Sequence, residues 1–154
     1  MIIKIDSREQ APLEFKVGDI VKEVRVEGLP FADYWGESDD GYEYPIVFER
    51  KGLGDLFGTL TGGMDRFKRM LEKADAVQAQ VYLLIEGSLE KVYKGYEHSQ
   101  VSGDQIVRTI FSLKVRHGLE PIFCNSRHEM KAHIVETYEA LERNYAKVKA
   151  SSEA

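Results

Sequence analysis

The sequence predicts a three-layer α/β domain with a mixed β-sheet, on two observations. Short apolar runs typical of buried strands alternate with segments whose apolar residues recur at helical spacing. An early hairpin signal adds antiparallel pairing to strands that helices otherwise separate. Because 43% of the 154 residues are hydrophobic, one domain with a substantial core is expected over residues 1–149, followed by a disordered tail at 150–154.

Four strands are predicted in the first third of the chain. Ile2 to Ile5 is a short apolar run, and Val21 to Val26 alternates apolar and charged side chains as a half-buried strand does. Phe31 to Trp35 and Tyr42 to Phe48 flank a turn-rich segment at 37–41, which predicts a β-hairpin.

The loop of this hairpin sets the positions of two acids. With Asp39-Asp40-Gly41 as the loop, Asp33 lies opposite Val47, and Glu49 is its diagonal neighbour on the same face, roughly 7–8 Å away. One metal ion can bridge that gap. A two-residue loop would place the two acids on opposite faces of the sheet.

Helices alternate with strands in the rest of the chain. A first helix is predicted over Gly52 to Leu60, and Gly62-Gly63 separates it from a second over Met64 to Val77. Val81 to Ile85 is a continuous apolar run, typical of a central strand. A short helix with a loop is expected over Leu89 to Gln100.

Two capping boxes indicate where the last two helices begin. Ser102 and Gln105 begin a helix that ends near His117, a strand is predicted over Glu120 to Cys124, and Ser126 begins the last helix. The apolar side chains of that helix are Met130, Ile134, Tyr138, Leu141, Tyr145 and Val148. This stripe either packs on the domain's own sheet or helps to bury a partner subunit.

Charge and composition narrow the classes of function. The net charge of −5 differs from the basic character of many nucleic-acid-binding domains, but a metal-dependent nuclease can be acidic because its site needs carboxylates. The single cysteine, Cys124, excludes an internal disulfide and suits the core of a protein from a reducing compartment. No membrane span, signal peptide, nucleotide-binding loop or zinc-ligand spacing is recognisable.

The segment from Val47 to Lys51 carries the strongest chemical signal. Side chains alternate along a strand, so Glu49 and Lys51 share a face and Arg50 points the other way. With Asp33 nearby, that face combines the oxygen ligands that Mg²⁺ prefers with a cation for a phosphate. The alternative is that these are solvated surface charges, which the apolar run leading into Glu49 disfavours.

Two further groups are candidates for phosphate binding. Asp6 and Arg8 follow the first strand, where polar groups often line a site in α/β sheets, and Arg8 can form a fork to a phosphate. Three cations after Gly62-Gly63 are placed to meet a DNA backbone: Arg66, Lys68 and Arg69. The alternatives are a surface salt bridge and a solvated basic face.

Taken together, these residues resemble the XPF-type structure-specific endonuclease domain. The family's Glu-Arg-Lys-x-x-x-Asp signature is complete from Glu49 to Asp55. Asp6-Ser7-Arg8-Glu9 resembles its Asp-x-Arg-Glu, Ala32-Asp33-Tyr34 its Gly-Asp-Tyr, and residues 63–67 its Gly-Arg-Phe segment. Alanine at 32 departs from the family's glycine and tolerates fewer backbone conformations.

The resemblance implies a restriction-endonuclease-like three-layer sandwich with a central mixed β-sheet flanked by helices. It implies an intracellular endodeoxyribonuclease, of the cytoplasm, nucleoid or nucleus, that uses Mg²⁺ or Mn²⁺ to cut near flaps, forks or junctions in DNA repair or recombination. A homodimer or heterodimer is expected. Because the family commonly adds a helix-hairpin-helix domain, we expect either a fragment of a longer protein or a minimal nuclease.

The resemblance also implies roles for individual residues. The implied metal ligands are Asp6, Asp33 and Glu49. Lys51 would serve the attacking water or the phosphate, and the implied supporting residues are Arg8, Arg50 and Asp55. Two alternatives stay open: a non-catalytic DNA-binding subunit of a nuclease dimer, and a minimal phage- or plasmid-type nuclease acting on other DNA. The intact Glu49-Arg50-Lys51 favours a catalytic chain.

Overall fold

Six strands and five helices make up the part of the chain that the computed structural model describes, which is residues 1–153, with side chains for residues 1–147. The strands are β1 (Ile2–Asp6), β2 (Glu23–Glu27), β3 (Tyr34–Glu37), β4 (Glu43–Lys51), β5 (Gln80–Glu86) and β6 (Glu120–Cys124). The helices are α1 (Leu53–Thr59), α2 (Met64–Ala76), α3 (Leu89–Lys94), α4 (Gly103–His117) and α5 (Arg127–Glu153). None of these helices combines the length and the apolar character that crossing a membrane requires.

The strands form one mixed sheet in the order β2-β1-β3-β4-β5-β6. β3 is antiparallel to both of its neighbours, whereas β4, β5 and β6 run parallel to one another. Apolar side chains from α1, α2 and α4 join a buried cluster with the sheet: Leu56, Phe57, Phe67, Leu71, Ile106 and Ile110. A second buried cluster joins α5 to Phe48 and Leu84 of the sheet. The predicted α/β sandwich with a mixed sheet is confirmed.

The apolar stripe of α5 packs on the domain's own sheet along its first half. Met130, Ile134 and Tyr138 are fully buried. The Tyr138 hydroxyl donates to the carbonyl oxygen of Ile46 at 2.8 Å. Its ring lies so close to Gly36 that a Cβ there would stand 2.6 Å from it. The last stripe position, Val148, and the predicted tail at 150–154 lie outside the described side chains.

The edge strand β2 is more exposed than its alternating pattern predicts. Val24 is half-buried, but the Val26 side chain is 68% exposed. β2 pairs only with β1, so its outer edge has no neighbouring strand in the described chain. The expectation of a half-buried strand therefore holds for one position and is wrong for the other.

The hairpin between β3 and β4 confirms the predicted loop and corrects the predicted register. Gly41 has the positive φ of 88° that the three-residue loop requires. Two steps along β3, from Glu37 to Trp35, then correspond to four steps along β4, from Glu43 to Val47. This irregularity makes Trp35, not Asp33, the partner of Val47.

Asp33 is fixed by backbone hydrogen bonds on both sides. Its N–H donates to the carbonyl oxygen of Phe48 at 2.9 Å, and its own carbonyl oxygen accepts from the N–H of Asp6 at 2.8 Å. Tyr34 pairs with Phe48, so continuing this register places Asp33 directly opposite Glu49. Ala32 has a left-handed φ of 62°, the conformation that a glycine would adopt without strain.

Cys124 lies in the core, at the end of β6. Its side chain is fully buried, and burial raises the pKa of the thiol to about 11. A thiol with so high a pKa is not a reactive nucleophile near neutral pH. The prediction that Cys124 is a core residue is confirmed.

Candidate active site

A cleft opens at the edge of the sheet where β1 and β4 end and β3 begins. Its volume is about 900 Å³, and α1 and α2 form the opposite wall. Eight of the predicted site residues line it: Asp6, Arg8, Asp33, Glu49, Lys51, Asp55, Arg66 and Arg69. Arg50 and Lys68 do not line it. One cleft thus brings together most of the residues that the sequence selects.

Asp33 and Glu49 form the acidic centre of the cleft. The Asp33 Oδ2 accepts a hydrogen bond from the backbone N–H of Arg50 at 2.8 Å, which holds this carboxylate beside β4. Burial raises the pKa of Glu49 well above its ordinary value, and the hydrogen bond and negative charge of Asp33 raise it further. The charge of Lys51 acts in the opposite direction on the pKa of Glu49. Two carboxylates held side by side at a half-buried site are placed to share a cation.

The Asp6 carboxylate is bound by neighbouring hydrogen-bond donors. Its carboxylate accepts from Arg8 Nε at 2.9 Å and Nη2 at 3.2 Å, and from the backbone N–H of Leu29 at 2.9 Å. Burial alone would raise the pKa of Asp6, but the bonds from Arg8 and Leu29 hold it below its ordinary value. Within residues 1–147 no three histidine, cysteine or acidic side chains come together as a metal-binding group. The assignment of Asp6, Asp33 and Glu49 as metal ligands stays a prediction, and in this structure the Asp6 carboxylate is already bound by Arg8 and Leu29.

Arg8 connects the buried Asp6 to the open cleft. The Arg8 side chain is 69% exposed, although it binds both carboxylate oxygens of Asp6 and donates to the carbonyl oxygen of Leu29 at 2.8 Å. The negative charges of Asp33 and Glu49 also act on the pKa of Arg8, which Asp6 raises above its ordinary value. Arg8 is thus a cation anchored close to the acidic centre, with its outer face available to an anion.

Arg50 lies on the other face of β4, where it binds Glu9. It forms two parallel hydrogen bonds to Glu9, from Nε to Oε2 at 3.0 Å and from Nη2 to Oε1 at 2.8 Å. The Tyr34 hydroxyl donates to Glu9 Oε2 at 3.2 Å and accepts from the N–H of Leu13 at 2.9 Å. Both charged side chains are nearly buried, at 12% exposure for Arg50 and 6% for Glu9. The predicted direction of Arg50, away from Glu49 and Lys51, is confirmed.

Helix α2 forms a basic wall across the cleft. Arg66, Arg69 and Lys73 line it and are spaced three and four residues apart, which places them on one face of the helix. None of the three forms an ion pair or side-chain hydrogen bond within the described residues. Lys68 lies on another side of α2 and does not line the cleft.

Comparison with known families decides the classification. The sequence model of the ERCC4 domain matches residues 5–137, which is most of the chain. The chain belongs to the ERCC4 domain family. The resemblance to XPF-type nuclease domains that the sequence indicates is thereby confirmed. No curated protein matches this ERCC4 domain in sequence.

Two solved structures are similar to this ERCC4 domain in fold. XPF from Aeropyrum pernix matches with a TM-score of 0.69 and 17% identity, over 97% of this chain and 69% of the other. XPF from Aeropyrum pernix in complex with DNA matches with a TM-score of 0.62 and 20% identity, over 93% of this chain and 65% of the other. At these identities the likeness concerns the fold. This ERCC4 domain spans about two thirds of the length of those proteins.

Sequence reasoning did not select two residues of this ERCC4 domain that the structure places at or beside the cleft. Glu9 holds Arg50, but the pair is 41 positions apart, and no local pattern connects them. Lys73 lines the cleft, and its spacing from Arg66 and Arg69 on one predicted helix could have found it. Asp55 lies in the first turn of α1 on the cleft wall, and its orienting role stays a prediction.

Proposed function

We propose that this ERCC4 domain is a Mg²⁺- or Mn²⁺-dependent DNA endonuclease that hydrolyses phosphodiesters near branches in DNA. The observation that carries the proposal is the pairing of Asp33 with Glu49 on one wall of the cleft, beside Lys51. The opposite wall presents the cations of α2, so a strand between the walls meets acids on one side and a row of cations on the other. The same arrangement is what cutting a DNA backbone requires.

The donor set of the cleft fits a hard divalent cation. Asp33 and Glu49 supply carboxylate oxygens, and Mg²⁺ is commonly held by one or two carboxylates while it keeps several waters. Burial, and after it the neighbouring Asp33, raise the pKa of Glu49, so a second negative charge here is costly and a bound dication would offset that cost. The cleft offers no thiol or imidazole ligand among its lining residues, so oxygen coordination is the chemistry that it supports.

Each group of residues in the cleft has its own role in the proposed hydrolysis. Asp33 and Glu49 would hold the metal, which when bound supplies an activated water and neutralises charge on the phosphate. Lys51 follows Glu49 on the same face of β4 and stabilises charge that develops on the scissile group. Arg66, Arg69 and Lys73 hold the strand by its phosphates. Asp6 positions Arg8, which adds a further phosphate contact.

The DNA substrate is supported by likeness as well as by charge. One of the two similar structures, both of XPF from Aeropyrum pernix, is a complex with DNA. The specific test is a cleavage panel with Mg²⁺ or Mn²⁺ on single-stranded, duplex, flap, fork and four-way DNA. Preferred cutting of branched substrates would support a role in repair or recombination. Cutting of unbranched DNA alone would favour the minimal nuclease, and binding without cutting would favour a non-catalytic subunit.

Metal affinity is expected to rise with pH through the raised pKa of Glu49. A metal binds the carboxylate and not the acid, so below this pKa each binding event must displace a proton. Titration calorimetry with Mn²⁺ across mildly acidic to neutral pH should give tighter binding and less proton release as pH rises. Glu49→Gln should remove the pH dependence together with most of the affinity. An affinity that is flat over this range in the unmodified protein would contradict the assignment of Glu49 as a ligand.

We infer that a dimer, if formed, uses α4 and not the apolar stripe of α5. The first half of that stripe is buried in the core, whereas Phe111 and Val115 of α4 are 43% and 85% exposed. Two exposed apolar side chains one turn apart on one helix offer a surface that a partner would bury. Sedimentation at micromolar concentration should detect a dimer that Val115→Glu dissociates. A monomer in the unmodified protein would count against this surface.

A further inference from the structure

A groove between α2 and α4 forms a second basic surface, separate from the cleft. Its volume is about 290 Å³. The ionisable side chains that line it are Lys68, Arg108, Arg116 and His117. No acidic side chain lines the groove in the part of the chain with described side chains. The other lining groups that matter for recognition are polar and neutral: Gln105, Thr109 and Ser112.

The cations of this groove have no partner in the described protein. Lys68, Arg108 and Arg116 form no ion pair or side-chain hydrogen bond within residues 1–147. By contrast, Lys114 on the same helix pairs with Glu120 at 3.7 Å. In a chain with a net charge of −5, a groove whose ionisable lining residues are all basic is a local exception. Such a concentration of unpaired charge attracts an anionic partner and raises its local concentration.

The spacing of the groove residues on α4 fits an extended anion. Arg108, Ser112 and Arg116 are four residues apart, so they follow one face of the helix. The two arginines are separated by about 12 Å along the helix axis. Phosphates of one DNA strand advance by about 3.4 Å along the duplex, so the arginines can meet separate phosphates. Arginine, lysine, serine and threonine are the side chains that commonly contact a DNA backbone.

We propose that the α2–α4 groove binds the phosphate backbone of a second arm of the DNA, while the cleft holds the strand to be cut. This rests on the proposed function, because it adds a contact for the same substrate. Helix α2 separates the two surfaces: Arg66 and Arg69 line the cleft, and Lys68 lines the groove on another side of the helix. On this proposal a straight duplex held in the cleft does not enter the groove, whereas the second arm of a branched DNA does. The groove thus supplies a preference for branches within the nuclease domain.

The test compares two charge-matched double variants. Arg108→Ala/Arg116→Ala removes two cations from the groove, and the control Arg143→Ala/Lys147→Ala removes two exposed cations from α5, on the other face of the sheet. Binding of a labelled fork and of a linear duplex is measured by fluorescence anisotropy over a range of salt concentrations, with EDTA present. The groove variant should bind the fork roughly tenfold more weakly near 0.1 M salt, with a salt slope lower by about two. Its binding to the linear duplex should match the control.

Three outcomes distinguish this proposal from the nuclease assignment. Fork binding and salt slope equal to those of the control would overturn the groove as a DNA site. Equal losses for fork and duplex would overturn its assignment to a second arm. Groove-dependent fork binding by a protein that cuts no DNA with Mg²⁺ or Mn²⁺ would uphold the groove and overturn the endonuclease, because the binding assay contains no active metal. Thermal unfolding of both variants confirms that they fold.

Discussion

Glu49→Gln is expected to reduce cleavage of forked DNA by roughly 10³-fold or more. The substitution keeps the size of the side chain but removes one of the two carboxylates proposed to hold the metal, and a bound metal supplies several kcal/mol of transition-state stabilisation. Initial rates at saturating Mg²⁺ and Mn²⁺ measure the loss. Glu72→Gln is the matched control, because Glu72 is an exposed carboxylate on α2 that does not line the cleft.

The fold of the Glu49→Gln protein should be unharmed. Burial and the nearby Asp33 raise the pKa of Glu49, so the ionised form is unfavourable in the metal-free fold, and a neutral amide relieves that cost. The stability that a proton on Glu49 gives is present at low pH and is lost as pH rises toward the raised pKa. At neutral pH the variant should therefore unfold at a temperature equal to or above that of the unmodified chain. Wild-type cutting by this variant would remove Glu49 from the mechanism.

Arg50→Ala is expected to destabilise the domain by about 3–5 kcal/mol, because it leaves the Glu9 carboxylate nearly buried without its cation. Urea unfolding at neutral pH measures the change. In the unmodified chain, burial would raise the pKa of Glu9, but the hydrogen bonds from Arg50 hold this pKa below its ordinary value. The stability that these bonds give is therefore lost only when the pH falls through the lowered pKa of Glu9. In the variant, burial acts without Arg50 and the pKa of Glu9 rises. The deficit should then shrink at acidic pH.

The double variant Glu9→Gln/Arg50→Met removes both charges, and so tests whether the loss of stability in Arg50→Ala comes from an uncompensated Glu9. Removing both charges is commonly near neutral for stability, whereas removing one leaves the other uncompensated. The double variant should therefore be more stable than Arg50→Ala alone, although the Tyr34 hydroxyl loses a charged acceptor. Destabilisation by less than about 1 kcal/mol in Arg50→Ala would mean that water replaces the guanidinium, and the supporting role would then be wrong.

The order of elements could be predicted from the sequence because its signals are local. Apolar periodicity located the strands and helices, and the serines before α4 and α5 marked where those helices begin: Ser102 accepts from the N–H of Gln105, and Ser126 from the N–H of Glu129. The alternation of Glu49, Arg50 and Lys51 also needed only strand geometry. These features depend on neighbours a few residues away, which a sequence displays directly.

The register of the hairpin could not be predicted from the loop alone. The irregularity between β3 and β4 adds two residues to β4 and converts a diagonal contact between Asp33 and Glu49 into a direct one. One local signal pointed to it. Pro45 lies within β4, which has strands on both sides, and proline in a central strand indicates a bulge because it has no N–H to donate. The contact between Glu9 and Arg50 joins residues that are far apart in the sequence, so it depends on the folded topology and has no local sequence signal.

The left-handed backbone at Ala32 has a consequence for stability. An alanine there costs about 1 kcal/mol relative to a residue without a Cβ, since φ is 62°. Alanine restricts the unfolded chain more than glycine does, but at a positive φ the strain in the folded state outweighs that gain. Ala32→Gly should therefore stabilise the domain. The backbone bonds of Asp33 to its neighbouring strands hold its position with either residue, so the added stability should leave the acid that follows in place.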